Sequence, residues 1–120
     1  MLEGGQPEKP AILVLSCGSS SVENEVLAGM EEEGVPSVVE RGPRCDDALA
    51  LAAAAAGRSS LSVGVGIDSG DRVCVQHDKL PEPLAELISS AGVGGAAARI
   101  LGHNAARIVT SIPLRVGDIG

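Results

Sequence analysis

Short apolar runs alternate with longer segments whose apolar residues recur at helical spacing. Four short segments predict strands, at 11–16, 36–40, 61–68 and 71–77. Four longer segments predict helices, at 20–33, 46–57, 81–92 and 96–113, the last of them helical at least from Asn104 to Val109. Because the first strands and helices alternate with short links, we expect a single small α/β domain. It would be a three-layer, Rossmann-like fold with a mostly parallel sheet of about four strands flanked by helices.

Local signals place the boundaries of these elements. The polar, Gly- and Pro-rich residues 1–10 predict a flexible N-terminal arm, 11–115 the domain, and 116–120 a C-terminal tail. Ser20 and Glu23 have the spacing of a capping box at the start of the first helix. Gly34 is placed to end that helix as the C′ residue. Asp68 lies at the carboxyl end of the third predicted strand, the edge where open α/β sheets place ligands, and the favoured interpretation is a turn-forming aspartate.

Composition and charge narrow the possible partners. The chain has 120 residues and contains no Phe, Tyr or Trp, so small aliphatic side chains must form the core. A core of this kind suggests a domain that gains stability by docking on another protein. The formal net charge of −7 argues against binding to nucleic acid or to anionic membrane surfaces. No apolar run approaches the roughly 20 residues of a membrane-spanning helix.

The cysteines and histidines give weaker signals. Cys17, Cys45 and Cys74 are widely spaced and include no CxxC motif, so we expect neither a disulfide scaffold nor a zinc site but a reduced cytoplasmic protein. Cys17 follows a strand and precedes a helix, which faintly resembles the phosphocysteine loop of sugar-transport system B components. The loop has no arginine to hold a phosphate, so a small buried thiol is favoured. His77 and His103 are interpreted as ordinary polar residues.

Three successive glutamates end the first predicted helix, in the stretch GMEEEGVP. Acidic side chains at a helix C-terminus cost about 0.3–1 kcal/mol each when exposed. The apolar residues Val22, Val26 and Met30 form one stripe along this helix. Successive helical residues fan out by about 100°, so Glu33 is expected near this stripe, Glu31 at the side, and Glu32 outward beside Ala28 and Gly29. These small neighbours would let another chain approach, with Glu32 offered to it or to Mg²⁺ or Ca²⁺. The alternative is an ordinary solvated acidic turn.

Three segments together resemble the small subunit of diol and glycerol dehydratase-reactivating factors. They are EVLAGMEEEGVPS (25–37), AGRSSLSVGVGIDSGDRVCVQHDKLP (56–81) and GHNAARIVTSIPLR (102–115), in the order and spacing of that family. The resemblance covers most of the chain from residue 11 to residue 115. The glutamate triplet before Gly-Val-Pro and the NAARIV…IP ending are its most specific parts.

The resemblance implies a non-catalytic, cytoplasmic subunit, inside or outside a bacterial microcompartment. It implies an α₂β₂ complex with a large ATPase subunit. This chain would exchange with the medium subunit of an adenosylcobalamin-dependent dehydratase, so that damaged cobalamin leaves, while itself binding no cobalamin. Glu32, the middle glutamate, would ligate a divalent metal (Mg²⁺ or Ca²⁺) at the interface with the large subunit, near Ala28, Gly29, Glu31 and Glu33. The alternatives are a dehydratase medium-subunit-like protein and a phosphotransfer domain that uses Cys17.

Overall fold

The structure is a computed structural model and describes residues 10–41, 45–80, 84, 87–92 and 94–110. The four strands are β1 (Ile12–Ser16), β2 (Ser37–Glu40), β3 (Val63–Ile67) and β4 (Val73–His77). The three helices are α1 (Ser20–Glu32), α2 (Ala48–Arg58) and α3 (Gly95–Thr110). Nearly all of the predicted arm 1–10, the end of the predicted domain after residue 110 and the predicted tail 116–120 lie outside the described residues.

The four strands form one sheet in the order β2-β1-β3-β4. β1 is parallel to both β2 and β3, whereas β4 is antiparallel to β3. The turn between β3 and β4 is fixed by Asp68, whose Oδ1 accepts hydrogen bonds from the backbone N–H groups of Gly70 and Arg72, each at 2.9 Å. The predicted mostly parallel sheet and the predicted turn at Asp68 are both confirmed.

Helices cover both faces of the sheet. α1 and α3 pack on one face, where the apolar side chains of the strands meet them in the main core. The strand residues of this core are Ile12, Val14, Val63, Val65, Ile67, Val73 and Val75, and the helix residues include Val22, Val26, Met30, Ala98, Leu101 and Ala105. α2 packs on the other face. The predicted three-layer architecture is therefore confirmed.

The contact between α2 and β3 explains how a core without aromatic residues closes. A Cβ added at Gly64 would lie 2.2 Å from the backbone nitrogen of Ala56, and one at Gly66 would lie 2.2 Å from the carbonyl oxygen of Ala48. The alanine-rich helix thus touches the backbone of the strand directly. Because glycine in the strand faces alanine in the helix, the side chains on both sides of this interface are small and the two backbones can approach closely.

The predicted helix 81–92 is wrong over its described part. Ile88 forms an antiparallel bridge with Cys74, and the backbone N–H of Ser89 donates to the carbonyl of Val73 at 2.8 Å. The Val73 N–H in turn donates to the Ser89 hydroxyl at 2.8 Å. The segment forms hydrogen bonds with the backbone groups at the outer edge of β4, which would otherwise be unpaired. This pairing replaces the helix that the prolines predicted. Residues 81–83, 85, 86 and 93 lie outside the described part.

The predicted capping box at the start of α1 is also wrong. Ser19, one residue earlier than Ser20, is the N-cap, and its hydroxyl accepts from the backbone N–H of Val22 at 3.3 Å. Glu23 does not fold back onto the cap but turns inward, where it is 2% exposed. At the other end of α1, Gly34 has φ +77°, as its predicted role as the C′ residue requires.

Glu23 is a buried carboxylate with two side-chain partners. Its carboxylate accepts a hydrogen bond from the hydroxyl of Ser16 at 2.5 Å and forms an ion pair with the guanidinium of Arg41. Arg41 itself is mostly exposed, so a solvent-facing cation neutralises a charge that lies between α1 and the sheet. Burying a carboxylate is costly unless it is paired and hydrogen-bonded, and both conditions hold here.

Candidate functional site

The candidate site forms where α1 and α3 cross with their backbones in contact. A Cβ on Gly29 of α1 would lie 2.2 Å from the carbonyl oxygen of Arg99, and a Cβ on Gly102 of α3 would lie 2.1 Å from that of Val26. The prediction that Gly29 opens α1 to another chain is wrong, because α3 of the same chain fills that space. The close crossing instead brings basic residues of α3 against the acidic end of α1.

Five side chains at this crossing form what we call the α1–α3 charge cluster: Glu32, Glu33, Arg99, His103 and Arg107. Glu32 Oε1 lies 2.8 Å from His103 Nε2, and Glu32 Oε2 lies 3.5 Å from Arg99 Nη1. Glu33 Oε2 lies 2.8 Å from His103 Nδ1 and 3.0 Å from Arg107 Nε. The histidine thus bridges two carboxylates, and both contacts are hydrogen bonds at once only when the ring carries both protons.

Glu33 is the inner glutamate of the triplet. It was expected near the apolar stripe of α1, but its carboxylate turns to α3, and its side chain is only 14% exposed. The hydrogen bond to His103 lowers the pKa of Glu33, and Arg107 adds to this against the opposing effect of burial. His103, interpreted from the sequence as an ordinary polar residue, contacts the carboxylates of both Glu32 and Glu33. Glu33 is 70 residues away in sequence, and only the crossing of the helices brings the two together.

Glu32 keeps an outward position, as predicted. Its side chain is 49% exposed, Glu31 is exposed and Ala28 is half-buried. Beside Glu31 the surface continues into a shallow depression of about 410 Å³ lined by Glu31, Gly34, Val35, Pro36 and Ser37. This end of α1 therefore offers carboxylates next to an open concave surface.

The donor set around Glu32 restricts how a metal could bind. Within the described residues there is no group of three or more His, Cys, Asp or Glu side chains that could hold a metal ion. Glu32 is a hard oxygen donor of the type that Mg²⁺ and Ca²⁺ prefer, but both cations need six or more ligands or bound waters. It could thus supply one ligand, with the others coming from a partner or from water. Arg99 and His103 compete with a cation for the same oxygens.

A second chemically distinct feature lies at the opposite end of α1. Cys17, directly after β1, and Cys45, ahead of α2, form a disulfide with a Cα–Cα distance of 5.7 Å. The expectation that the cysteines are all reduced is therefore wrong for this pair, because the fold brings together two loops at the carboxyl edge of the sheet. Cys74 is buried and free. In this state the sulfur of Cys17 is not available as the nucleophile that a phosphocysteine mechanism needs.

No helix in the described ranges is long and apolar enough to cross a membrane.

The backbone groups of Ala11, just before β1, are hydrogen-bonded by side chains of the link between α2 and β3. The Ser60 hydroxyl accepts from the N–H of Ala11 at 3.0 Å, and the Ser59 hydroxyl donates to its carbonyl at 2.8 Å.

Comparison with known proteins identifies the family. The profile of the dehydratase medium subunit family matches residues 9–115. The propanediol dehydratase-reactivating factor small subunit of Citrobacter freundii is 36% identical over 107 residues, which cover 88% of this chain and 90% of the relative. The diol dehydratase-reactivating factor small subunit of Klebsiella michiganensis is 35% identical over 115 residues, covering 92% and 88% respectively.

Solved structures agree with these matches. A glycerol dehydratase reactivase chain superposes with a TM-score of 0.82 at 32% identity, covering 89% of this chain and 97% of that one. A chain of the diol dehydratase-reactivating factor complexed with ADP and Mg²⁺ gives a TM-score of 0.78 at 34% identity, covering 90% and 99%. The chain belongs to the dehydratase medium subunit family, among the small subunits of diol and glycerol dehydratase-reactivating factors.

Proposed function

We propose that this chain is the exchangeable small subunit of a factor that reactivates an adenosylcobalamin-dependent diol or glycerol dehydratase. In this function it pairs with a large ATPase subunit in an α₂β₂ complex and is displaced when the dehydratase medium subunit takes its place. Damaged cobalamin then leaves the dehydratase, and this chain binds no cobalamin itself. Reactivation of the dehydratase takes place in the cytoplasm, inside or outside a microcompartment.

One observation carries the exchange step. A profile named for the dehydratase medium subunit matches residues 9–115, although the similar curated proteins are small subunits of reactivating factors. Two proteins with one fold can present the same surface to a third, so each can displace the other. The chain has no phosphate-binding GxxxxGK[ST] motif, which agrees with ATP hydrolysis on the large subunit.

The metal ligand in this proposal is Glu32. Its exposure and its place beside the surface formed by Ala28 and Glu31 support contact with the large subunit, which would supply the remaining ligands. Glu33 does not contact the metal in this proposal. Its contacts with α3 hold the C-terminal end of α1 in place. Gly29 has no part in the interface, because it packs against α3.

Binding of the metal requires a local exchange of partners. Arg99 and His103 contact the Glu32 carboxylate, and the guanidinium repels a divalent cation. The Glu32 side chain must turn away from α3 to meet the cation. Exposed ion pairs are worth about 0–1 kcal/mol, so releasing Arg99 opposes metal binding only weakly.

The test is coexpression of this chain with the large reactivase subunit, followed by size-exclusion chromatography with light scattering and metal analysis. Detection uses refractive index, because the chain lacks aromatic residues. We expect an α₂β₂ complex with stoichiometric divalent metal, from which added dehydratase medium subunit displaces this chain. Separate elution of the two proteins with ADP and Mg²⁺ present would refute the proposed function.

Glu32→Ala and Glu31→Ala form a matched pair for the metal site, since both remove one exposed carboxylate from the same turn. We expect the Glu32 variant to lose the metal and to weaken the complex, and the Glu31 variant to keep the metal. Equal metal content in both variants and in the parent complex would show that Glu32 is not the ligand, while the exchange proposal would stand.

A further inference from the structure

The two cysteines at the carboxyl edge of the sheet have a geometry that the reactivating function does not use. Cys17 follows β1 and its backbone N–H donates to the carbonyl of Ile67 at 2.7 Å, which fixes its place. Cys45 precedes the N-cap of α2, Asp47. Their Cα atoms lie 5.7 Å apart, inside the range of roughly 4.4–6.8 Å that a disulfide requires. Neither backbone has to move for the bond to form.

The pair is open to solvent, unlike the third cysteine. Cys45 is exposed and Cys17 half-buried, so a small thiol can reach the bond from the side of Cys45. Cys74 is fully buried, and burial, reinforced by the negative charge of Asp47, raises the pKa of its thiol to about 12. Thiolates, not thiols, take part in exchange. Cys74 is therefore inert, and redox chemistry is confined to the other two.

The surroundings also suit reversible chemistry. Cys17 and Cys45 each lie two residues before a helix N-cap, Ser19 and Asp47 respectively, where the helix dipole favours a thiolate. The carboxylates of Asp47 and Asp71 accept backbone hydrogen bonds at these helix starts and offset part of this effect. Two adjacent, accessible cysteines in a reducing compartment are typically redox-sensing or transient, not permanent cross-links.

We propose that Cys17 and Cys45 form a reversible thiol–disulfide pair that exchanges with a small-molecule disulfide, of which glutathione disulfide is the probe. In oxidation the Cys45 thiolate attacks glutathione disulfide and releases one glutathione thiolate. The Cys17 thiolate then attacks the Cys45 sulfur of the mixed disulfide and releases the second. Two protein thiols are oxidised and one glutathione disulfide is reduced. The two protons lost by the protein thiols end on the two glutathione thiolates, which leave as glutathione. Reduction follows the same steps backwards.

The bond has a defined structural consequence. α1 and α2 lie on opposite faces of the sheet, and the disulfide ties the loop that leads into α1 to the loop that leads into α2. Oxidation closes a loop between residues 28 apart and restricts the unfolded chain more than the folded one. The oxidised domain should therefore be the more stable form.

The test uses the full chain carrying Cys74→Ala, so that only the two cysteines of the pair remain. The protein is equilibrated in glutathione buffers of increasing oxidation, alkylated after acid quench, and analysed by intact mass spectrometry. We expect a transition from two alkylated thiols to none without a stable glutathione adduct. The urea midpoint should fall when reductant is added. Two alkylated thiols or two glutathione adducts at every ratio would overturn the proposal.

Two further variants test the order of the steps. They also keep the proposal testable if the Cys74→Ala protein does not fold. In Cys17→Ser, Cys45 should trap glutathione as a mixed disulfide, and reductant should no longer change the urea midpoint. In Cys45→Ser, the half-buried Cys17 should react several-fold more slowly. Equal reaction rates in these two variants would contradict the assignment of Cys45 as the attacked sulfur.

Discussion

A single added methyl group should have opposite effects at two helical glycines. Gly102 lies at the crossing of α1 and α3, where a Cβ would meet the carbonyl oxygen of Val26 at 2.1 Å. Gly57 lies near the exposed end of α2, where a Cβ would meet only the Asp78 carboxylate, at 3.7 Å. Alanine is favoured over glycine inside a helix at both positions, so any difference between them reports packing alone.

The magnitudes follow from these distances. At Gly57, alanine should stabilise the domain by about 0.5–1 kcal/mol, since it restricts the unfolded chain and meets open space. At Gly102 the same gain of about 1 kcal/mol is opposed by an overlap with backbone, which no rotamer change relieves. Overpacking of this kind costs about 1–3 kcal/mol. Taking the upper end, the net loss is about 2 kcal/mol, or a decrease in Tm on the order of 8 °C.

The assay is urea unfolding followed by far-UV circular dichroism, because the chain has no fluorescent aromatic residue. The m-value should stay constant in both variants while the midpoint moves down for Gly102→Ala and up for Gly57→Ala. A Gly102→Ala protein as stable as the parent would refute the close crossing of α1 and α3. The position of the α1–α3 charge cluster would then need revision as well.

Two other perturbations test buried charges. Arg41→Ala should cost about 1–3 kcal/mol in urea unfolding because it leaves the buried Glu23 carboxylate without its cation, whereas Arg58→Ala, which breaks only an exposed pair, should cost about 0–1 kcal/mol. Glu33→Gln should lower stability at neutral pH. Because the folded pKa of Glu33 is depressed, its stabilising contribution is present above its unfolded pKa of about 4.3 and is lost as pH falls through the folded pKa. The urea midpoints of parent and variant should converge in acid, and a constant difference would contradict this.

Signals that act over a few residues could be predicted from the sequence. The four strands and the helices α1 and α2 were predicted within about two residues of their observed bounds, because apolar spacing and turn residues are local. The predicted helical core from Asn104 to Val109 lies inside α3. Gly34 ends α1 with a positive φ, and Asp68 forms the turn before β4. The general position of Glu32 also follows from helical geometry alone.

Contacts between distant segments could not be predicted in the same way. His103 and Glu33 are 70 residues apart, and their contact depends on two glycines that let α1 and α3 approach. Cys17 and Cys45 meet only because β1 and the link to α2 end at one edge of the sheet. The segment 87–92 lies along the edge of β4 for the same kind of reason. The unpaired strand edge is distant in sequence, and pairing with it competes with helix formation.

The contact between α2 and β3 limits how this protein can change over evolutionary time. In most cores a larger side chain at one position is accommodated by a smaller one opposite. Here Gly64 and Gly66 face Ala48 and Ala56, and glycine has no smaller replacement. A larger side chain in the helix can therefore not be compensated by a smaller one in the strand. Any larger residue on either side must push helix and sheet apart. Related chains that carry bulkier residues in α2 should hold that helix farther from the sheet.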